Sequence, residues 1–180
     1  GCGSSNKSGS EAGSTSTSSD SDWAYIQGKG KLTVGITLFA PMNYYNEKNE
    51  LVGFDTEMAQ AVAKKLGIDV EFTEINWDSK EVELSSKNID CIWNGFTING
   101  REDDYTWSDP YLNNEQVMVV ASDSGIETLA DLAGKNVVVQ AASAALDALN
   151  SEDNKELTDS FASLTENPDY NTAFMNIDSG

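Results

Sequence analysis

An α/β fold is predicted by three observations. Short runs of β-branched and apolar residues alternate with segments of helical periodicity, glycines stand where those helices should stop, and the alternation occurs twice along the chain. The first series, over residues 31–93, reads β-α-β-α-β and argues for a mainly parallel sheet with helices on its faces. A second series begins near Gln116 and is shorter. A length of 180 residues suits one ordinary domain or two small lobes.

The elements follow in order. Residues 1–22 are almost wholly Ser, Gly, Thr and acidic, too polar to offset the entropy of ordering, and are expected to form a flexible tether. Residues 31–37 (KLTVGIT) read as a strand, and NEKN at 46–49 as a polar turn between Tyr44-Tyr45 and Leu51-Val52. Phe54, Met58, Ala61, Val62 and Leu66 recur at helical spacing, with Gly67 as the stop. A strand is expected at 69–75, a short helix at 78–87 and a buried strand at 89–93. In the second series, QVMVVA at 116–121 reads as a strand and 126–133 as a helix ended by Gly134. A strand at 137–140, a helix at 143–150, a strand at 161–164 and an amphipathic helix at 169–178 complete the series. These features divide the chain into a tether at 1–22, a first lobe at 23–118 and a second lobe at 119–180, in which no strand follows the last helix.

Composition removes much chemistry. The formal charge is −19 and the pI about 4.1, so phosphate backbones and anionic lipid surfaces are repelled and nucleic acid is not an expected partner. With no histidine, Ser-His and Cys-His nucleophile pairs and His-ligated metals are excluded on this chain. No apolar run reaches the roughly 18 residues that a membrane span requires. Cys91, in a predicted central strand, reads as a small core residue. Cys2, preceded by Gly1 and followed by the tether, looks like the lipobox cysteine of a bacterial lipoprotein, against the plainer reading of a cysteine in a linker. The acidic cluster Glu102-Asp103-Asp104 lacks the alternating ligands of a calcium loop and reads as a solvated turn. No metal or cofactor is expected.

Polar loops at strand ends hold the candidate site. Open α/β sheets bind ligands at the carboxyl ends of their parallel strands. After the strand ending at Trp93 come Gly95, Thr97 and Arg101: a close backbone approach, a hydroxyl with an N–H, and a planar two-pronged donor for a carboxylate. The alternative is a turn whose Arg101 pairs with Asp103 or Asp104. Phe39 and Trp77 each follow a strand and would serve either as core packing or as a ring sandwich around a small ligand. Gln140-Ala141-Ala142-Ser143-Ala144 leads from a strand into a helix, whose free N–H groups attract anions.

The strand before FAPM, then LVGFDTEMAQAVAKKLG, INWD, NIDCIWNGFTINGRE and YTWSDPY together resemble the extracytoplasmic amino-acid-binding proteins of ABC importers. The resemblance runs from about Lys31 to the end, and with Cys2 it is to the lipid-anchored members of Gram-positive bacteria. It implies a two-lobed, hinged clamp of the type II periplasmic-binding-protein kind, with the second lobe incomplete, holding an amino acid between the lobes. By the same resemblance Phe39 and Trp77 would flank the ligand side chain, the Gly95 carbonyl and Thr97 hydroxyl would accept from its α-ammonium, and Arg101 with the Thr97 N–H would bind its α-carboxylate. Ser143 and Ala144 would donate N–H groups to that carboxylate, and Gln140 would touch the side chain. The implied partners are a free amino acid, expected to be polar or cystine, and the permease subunits. The implied form is a monomer on the outer face of the cell membrane, tied to it only by a lipid on Cys2.

Three departures stand against the family pattern. TINGR is one residue shorter than the common threonine-to-arginine spacing, AASAA lacks a glycine at the helix start, and the aspartate expected to hold the ammonium would lie beyond residue 180. The chain therefore reads as a fragment of a longer reading frame, expected to bind weakly or not at all as it stands. Two other readings share the fold. One is an enzyme, a dehydratase or peptidoglycan-cleaving, using a carboxyl such as Asp78 or Glu81. The other is an amino-acid-sensing ectodomain.

Overall fold

The computed structural model describes residues 21–180. Cys2, with the lipid expected on it, and the tether up to residue 20 lie outside the described residues. Ser21 and Asp22, the last two residues assigned to the tether, belong to ordered structure. Asp22–Lys29 form helix α1, the Ser21 hydroxyl caps it by accepting from the Ala24 N–H at 3.1 Å, and Gly30 ends it in the left-handed conformation. Sequence reading passed over α1 because the helix buries no residue and so carries no apolar stripe.

Strand β1 (Lys31–Ile36) is the centre of a three-stranded parallel sheet in the order β4-β1-β5, with β4 at Asp69–Glu74 and β5 at Cys91–Ile92. Being central and covered on both faces, β1 is buried from Leu32 to Ile36 without alternation. Leu32, Val34 and Ile36 form the core, with Ile26 of α1, Val70 and Phe72 of β4, and Trp93 packed on them. A Cβ at Gly35 would stand 2.5 Å from Ile89 Cδ1, so a larger residue there would force the Ile89 side chain to shift.

The predicted hairpin forms from β2 (Tyr44–Tyr45) and β3 (Leu51–Val52), antiparallel, with Asn46 bracing the turn through bonds from the Lys48 and Glu50 N–H groups. Helix α2 (Phe54–Leu66) follows and ends at Gly67, in the left-handed conformation, as expected. The helix expected at 78–87 is shorter: a 3-10 turn at Trp77–Ser79 runs into α3 (Lys80–Ser85).

The second series differs more. No strand forms at 116–121, where Val117 and Val119 are exposed. A strand needs a ladder partner, and among the described residues no strand pairs with this segment. The helix expected at 126–133 contracts to a 3-10 turn at Leu129–Leu132, held between the Thr128–Asp131 capping box and Gly134, whose φ is 74°. Strand β6 (Asn136–Gln140) pairs in parallel with β7 (Ser163–Asn167). The latter starts two residues later than expected, because α5 (Lys155–Ser160) ends at Phe161 and the Gly134 N–H to Ser160 carbonyl bond sets the register. Helices α4 (Ala144–Asn150) and α6 (Tyr170–Asp178) form as predicted.

Candidate functional site

Parallel register brings the strand ends together. Ile36 stands opposite Glu74 and Gly35 opposite Ile92, so β1, β4 and β5 all end on one edge of the sheet and release Phe39, Trp77 and Gly95 there. In the second series Gln140 stands opposite Asn167, and the chain leaves β6 and β7 into the starts of α4 and α6.

A buried amide network fixes the first set of loops. Asn43 donates through Nδ2 to Asn94 Oδ1 at 3.0 Å, Asn94 donates through Nδ2 to the Thr37 hydroxyl, and the Thr56 hydroxyl donates to Asn43 Oδ1 at 2.8 Å. All four residues are buried. Asn43 also exchanges backbone hydrogen bonds with Phe39, and Asn94 precedes Gly95, so the network sets the position of both. A Cβ at Gly95 would meet the Phe39 ring at 3.6 Å. The start of α2 completes this corner: its Phe54, Asp55 and Thr56 N–H groups donate to the Pro41 and Met42 carbonyls, which stand in for a side-chain cap.

Arg101 joins the two sets of loops. Its side chain is 13% exposed. Nη1 donates to the Thr97 carbonyl at 3.0 Å and Nη2 to the Ala142 carbonyl at 3.0 Å, while Asp147 Oδ2 lies 4.0 Å away. Its guanidinium centre is 5.3 Å from the Phe96 ring centroid. The alternative partners Asp103 and Asp104 are not those it takes. The Thr97 hydroxyl accepts from Asn114 Nδ2 at 2.9 Å. Ser143 caps α4 by accepting the Leu146 N–H on its hydroxyl, and Ala144 is the first residue of that helix. Ala142 holds φ at +55°, the left-handed region, at the loop where sequence reading noted a missing glycine. Gln140 is buried, and its Nε2 donates to the Pro168 carbonyl at 3.3 Å.

The two aromatic candidates fall into different clusters. Phe39 lies against Tyr170 at the start of α6, ring centroids 5.6 Å apart. Trp77 is buried and meets Phe96 edge-on at 4.8 Å, and Phe96 in turn meets Tyr105 and Trp107. Sequence reading missed Tyr170, Phe96 and Lys80. The ammonium of Lys80 lies 4.9 Å from the Trp77 ring centroid and donates to the Trp77 carbonyl at 3.1 Å. The position of Lys80 directly after Trp77-Asp78-Ser79 was the available signal, and an acidic α3 masked it. Cys91 is a free thiol that burial pushes up to about 12, fitting the core role read for it. Hydrogen bonds from its own backbone N–H and from that of Gly100 hold the Glu102 carboxyl below the usual range in the solvated turn expected there.

Comparison with known proteins agrees with this fold. Residues 32–173 match the family described as bacterial extracellular solute-binding proteins, family 3. The L-cystine-binding protein TcyA of Bacillus subtilis is 38% identical over 131 residues, covering 71% of this chain and 49% of its own. The arginine-binding extracellular protein ArtP of the same organism is 36% identical over 166 residues, covering 92% of this chain and 57% of its own. Among solved structures, an ABC uptake transporter substrate-binding protein from Streptococcus pneumoniae with bound histidine is 33% identical with a TM-score of 0.79, over 91% of this chain and 67% of that one. The chain thus spans about half the length of the curated relatives it matches. Order of elements, placement of the strand-end loops and these matches lead to one statement: the chain belongs to family 3 of the bacterial extracellular solute-binding proteins.

Proposed function

We propose that this chain captures a free amino acid between its two sets of strand-end loops, as the extracytoplasmic solute-binding component of an ABC importer. The observation that carries the reading is Arg101. A largely buried guanidinium that reaches from the Thr97 loop to the entrance of α4 is suited to an α-carboxylate, which would replace the Ala142 carbonyl as acceptor. The Thr97, Ser143 and Ala144 N–H groups would add to the carboxylate site. The Gly95 carbonyl and the Thr97 hydroxyl, which keeps one acceptor position beside its bond from Asn114, would take the α-ammonium. Phe39 and the Trp77–Phe96 cluster would flank the side chain, with Gln140 in reach of its polar end. Closing such a site excludes water and strengthens each charged contact.

The ligand is a polar amino acid or cystine, a choice favoured by similarity to the cystine-binding relative. Cys2 carries a lipid that holds the protein, a monomer, to the outer face of the cell membrane, where it hands its ligand to the permease subunits. The residues before Ser21 serve as the tether, those from there to 118 as the first lobe and 119–180 as part of the second. The protein is not an enzyme in this reading, in line with relatives named as binding proteins.

Isothermal titration of the full reading frame that carries this chain, with the common amino acids and L-cystine, tests the proposal. Binding of one or two compounds is expected, together with loss of that binding in Arg101→Ala with folding retained. A folded protein that binds none of them, or an Arg101→Ala variant that binds as tightly as wild type, overturns it.

A further inference from the structure

Lys80 is a buried cation that none of the roles above uses. It opens α3, and only 6% of its surface is exposed. An ammonium carries three donors, and one of them is accounted for by the Trp77 carbonyl. Among the described residues no carboxylate lies within 4.0 Å of it, since the ion pairs found there involve Lys29, Lys31, Arg101 and Lys155. Asp78 and Glu81, its neighbours in sequence, are exposed, and Glu81 accepts from the Tyr105 hydroxyl.

The second cation of the region approaches the same aromatic wall. Arg101 covers Phe96 at 5.3 Å, Phe96 meets Trp77 at 4.8 Å, and Trp77 is covered by Lys80 at 4.9 Å. Burial and the charge of Arg101 hold the Lys80 ammonium below its usual range, against weaker pulls upward from Glu81, Asp147 and Asp78. Asp147, the acid that α4 contributes here, is 77% exposed and therefore well screened. Two desolvated positive charges faced only by exposed acids make a site short of anions.

We infer that Lys80 determines specificity: its ammonium receives a second carboxylate carried by the ligand's side chain and repels a side chain that is itself cationic. The inference rests on the amino-acid-binding reading and deepens it. With the α-carboxylate on Arg101, the side chain would run along Phe96 and Trp77 toward Lys80. L-Glutamate presents a second carboxylate alone at that end, and L-cystine presents one beside a second ammonium, so neither end carries net positive charge. L-Arginine would bring a third positive charge to a place that already holds two, and a cation without its counter-charge is costly once water is excluded.

Titration of the wild-type protein and of Lys80→Met, a neutral chain of similar length, with L-cystine, L-glutamate, L-glutamine and L-arginine tests this. Wild type should bind L-cystine or L-glutamate at least about tenfold more tightly than L-arginine, and the substitution should remove that preference. The stronger of the two dicarboxylates identifies the side chain. A wild type that prefers L-arginine, or a folded Lys80→Met variant whose ratios stay within about twofold of wild type, overturns the role of Lys80 and leaves the amino-acid reading standing. A wild type that binds none of these and no other amino acid overturns both. Should Lys80→Met fail to fold, the wild-type preference decides alone.

Discussion

Ala142 adopts a backbone conformation that glycine takes without strain, and its carbonyl accepts from Arg101. A Cβ in the left-handed region costs about 1 kcal/mol. Ala142→Gly relieves that cost but gives the unfolded chain more freedom, so a net gain of about 0.5 kcal/mol is expected in urea unfolding. A loss of stability would mean that the Ala142 methyl packs against something that matters more. Strain held at a loop that also contacts Arg101 fits a place where geometry serves binding. Arg101 is harder to replace: lysine carries the charge but cannot reach two carbonyls in one plane. Arg101→Lys is expected to weaken ligand binding by at least about tenfold in titration while the protein remains folded.

At the scale of elements, the corner built from the β2–β3 hairpin, the start of α2 and the Asn94 turn behaves as one unit. Asn94→Ala leaves the Nδ2 donor of Asn43 buried without its acceptor, at a cost of about 1–3 kcal/mol in chemical unfolding. It should also weaken ligand binding, since Phe39 and Gly95 both take their positions from this network. A variant that unfolds at the wild-type urea concentration would contradict the placement of these amides. Much of this level was legible in the sequence. Strands β1 and β4 and helix α2 each carry a pattern within one segment, and Gly95, Arg101 and Ser143 stand at ends those patterns define. What could not be read depends on distant partners. Residues 116–121 have a strand's composition, yet a ladder requires a neighbour. Helix α5 is too short to show a period. Tyr170 meets Phe39, and Lys80 meets the Trp77–Phe96 wall, only because parallel register collects strand ends from far apart in the chain.

For the molecule as a whole, the excess of acid makes pH the natural variable, and Asp55 gives it a local handle. Asp55 is 2% exposed, and burial raises the pKa of its carboxyl, with the hydrogen bond from Tyr111 at 2.7 Å opposing. A raised value in the folded state means that the protonated form is favoured there. The stability this supplies is present below the unfolded value, about 4, and is lost as pH rises through the folded value. Asp55→Asn cannot ionise, so its stability relative to wild type should improve as pH climbs from about 4 and then level off. Urea unfolding across that range reads the difference, and a difference independent of pH would refute the assignment.

The buried amide network also governs how the protein ages. Asn-Gly pairs are the sequences most prone to spontaneous deamidation, because the following glycine N–H can swing onto the asparagine carbonyl carbon. This chain has two such pairs, Asn94-Gly95 and Asn99-Gly100. The side chain of Asn94 is buried and engaged at both its oxygen and its nitrogen, whereas Asn99 is exposed beside a glycine with φ of 79°. Chemical wear during long storage is therefore directed to the turn at Asn99, and the Asn94 corner that shapes the site is spared as long as the fold holds.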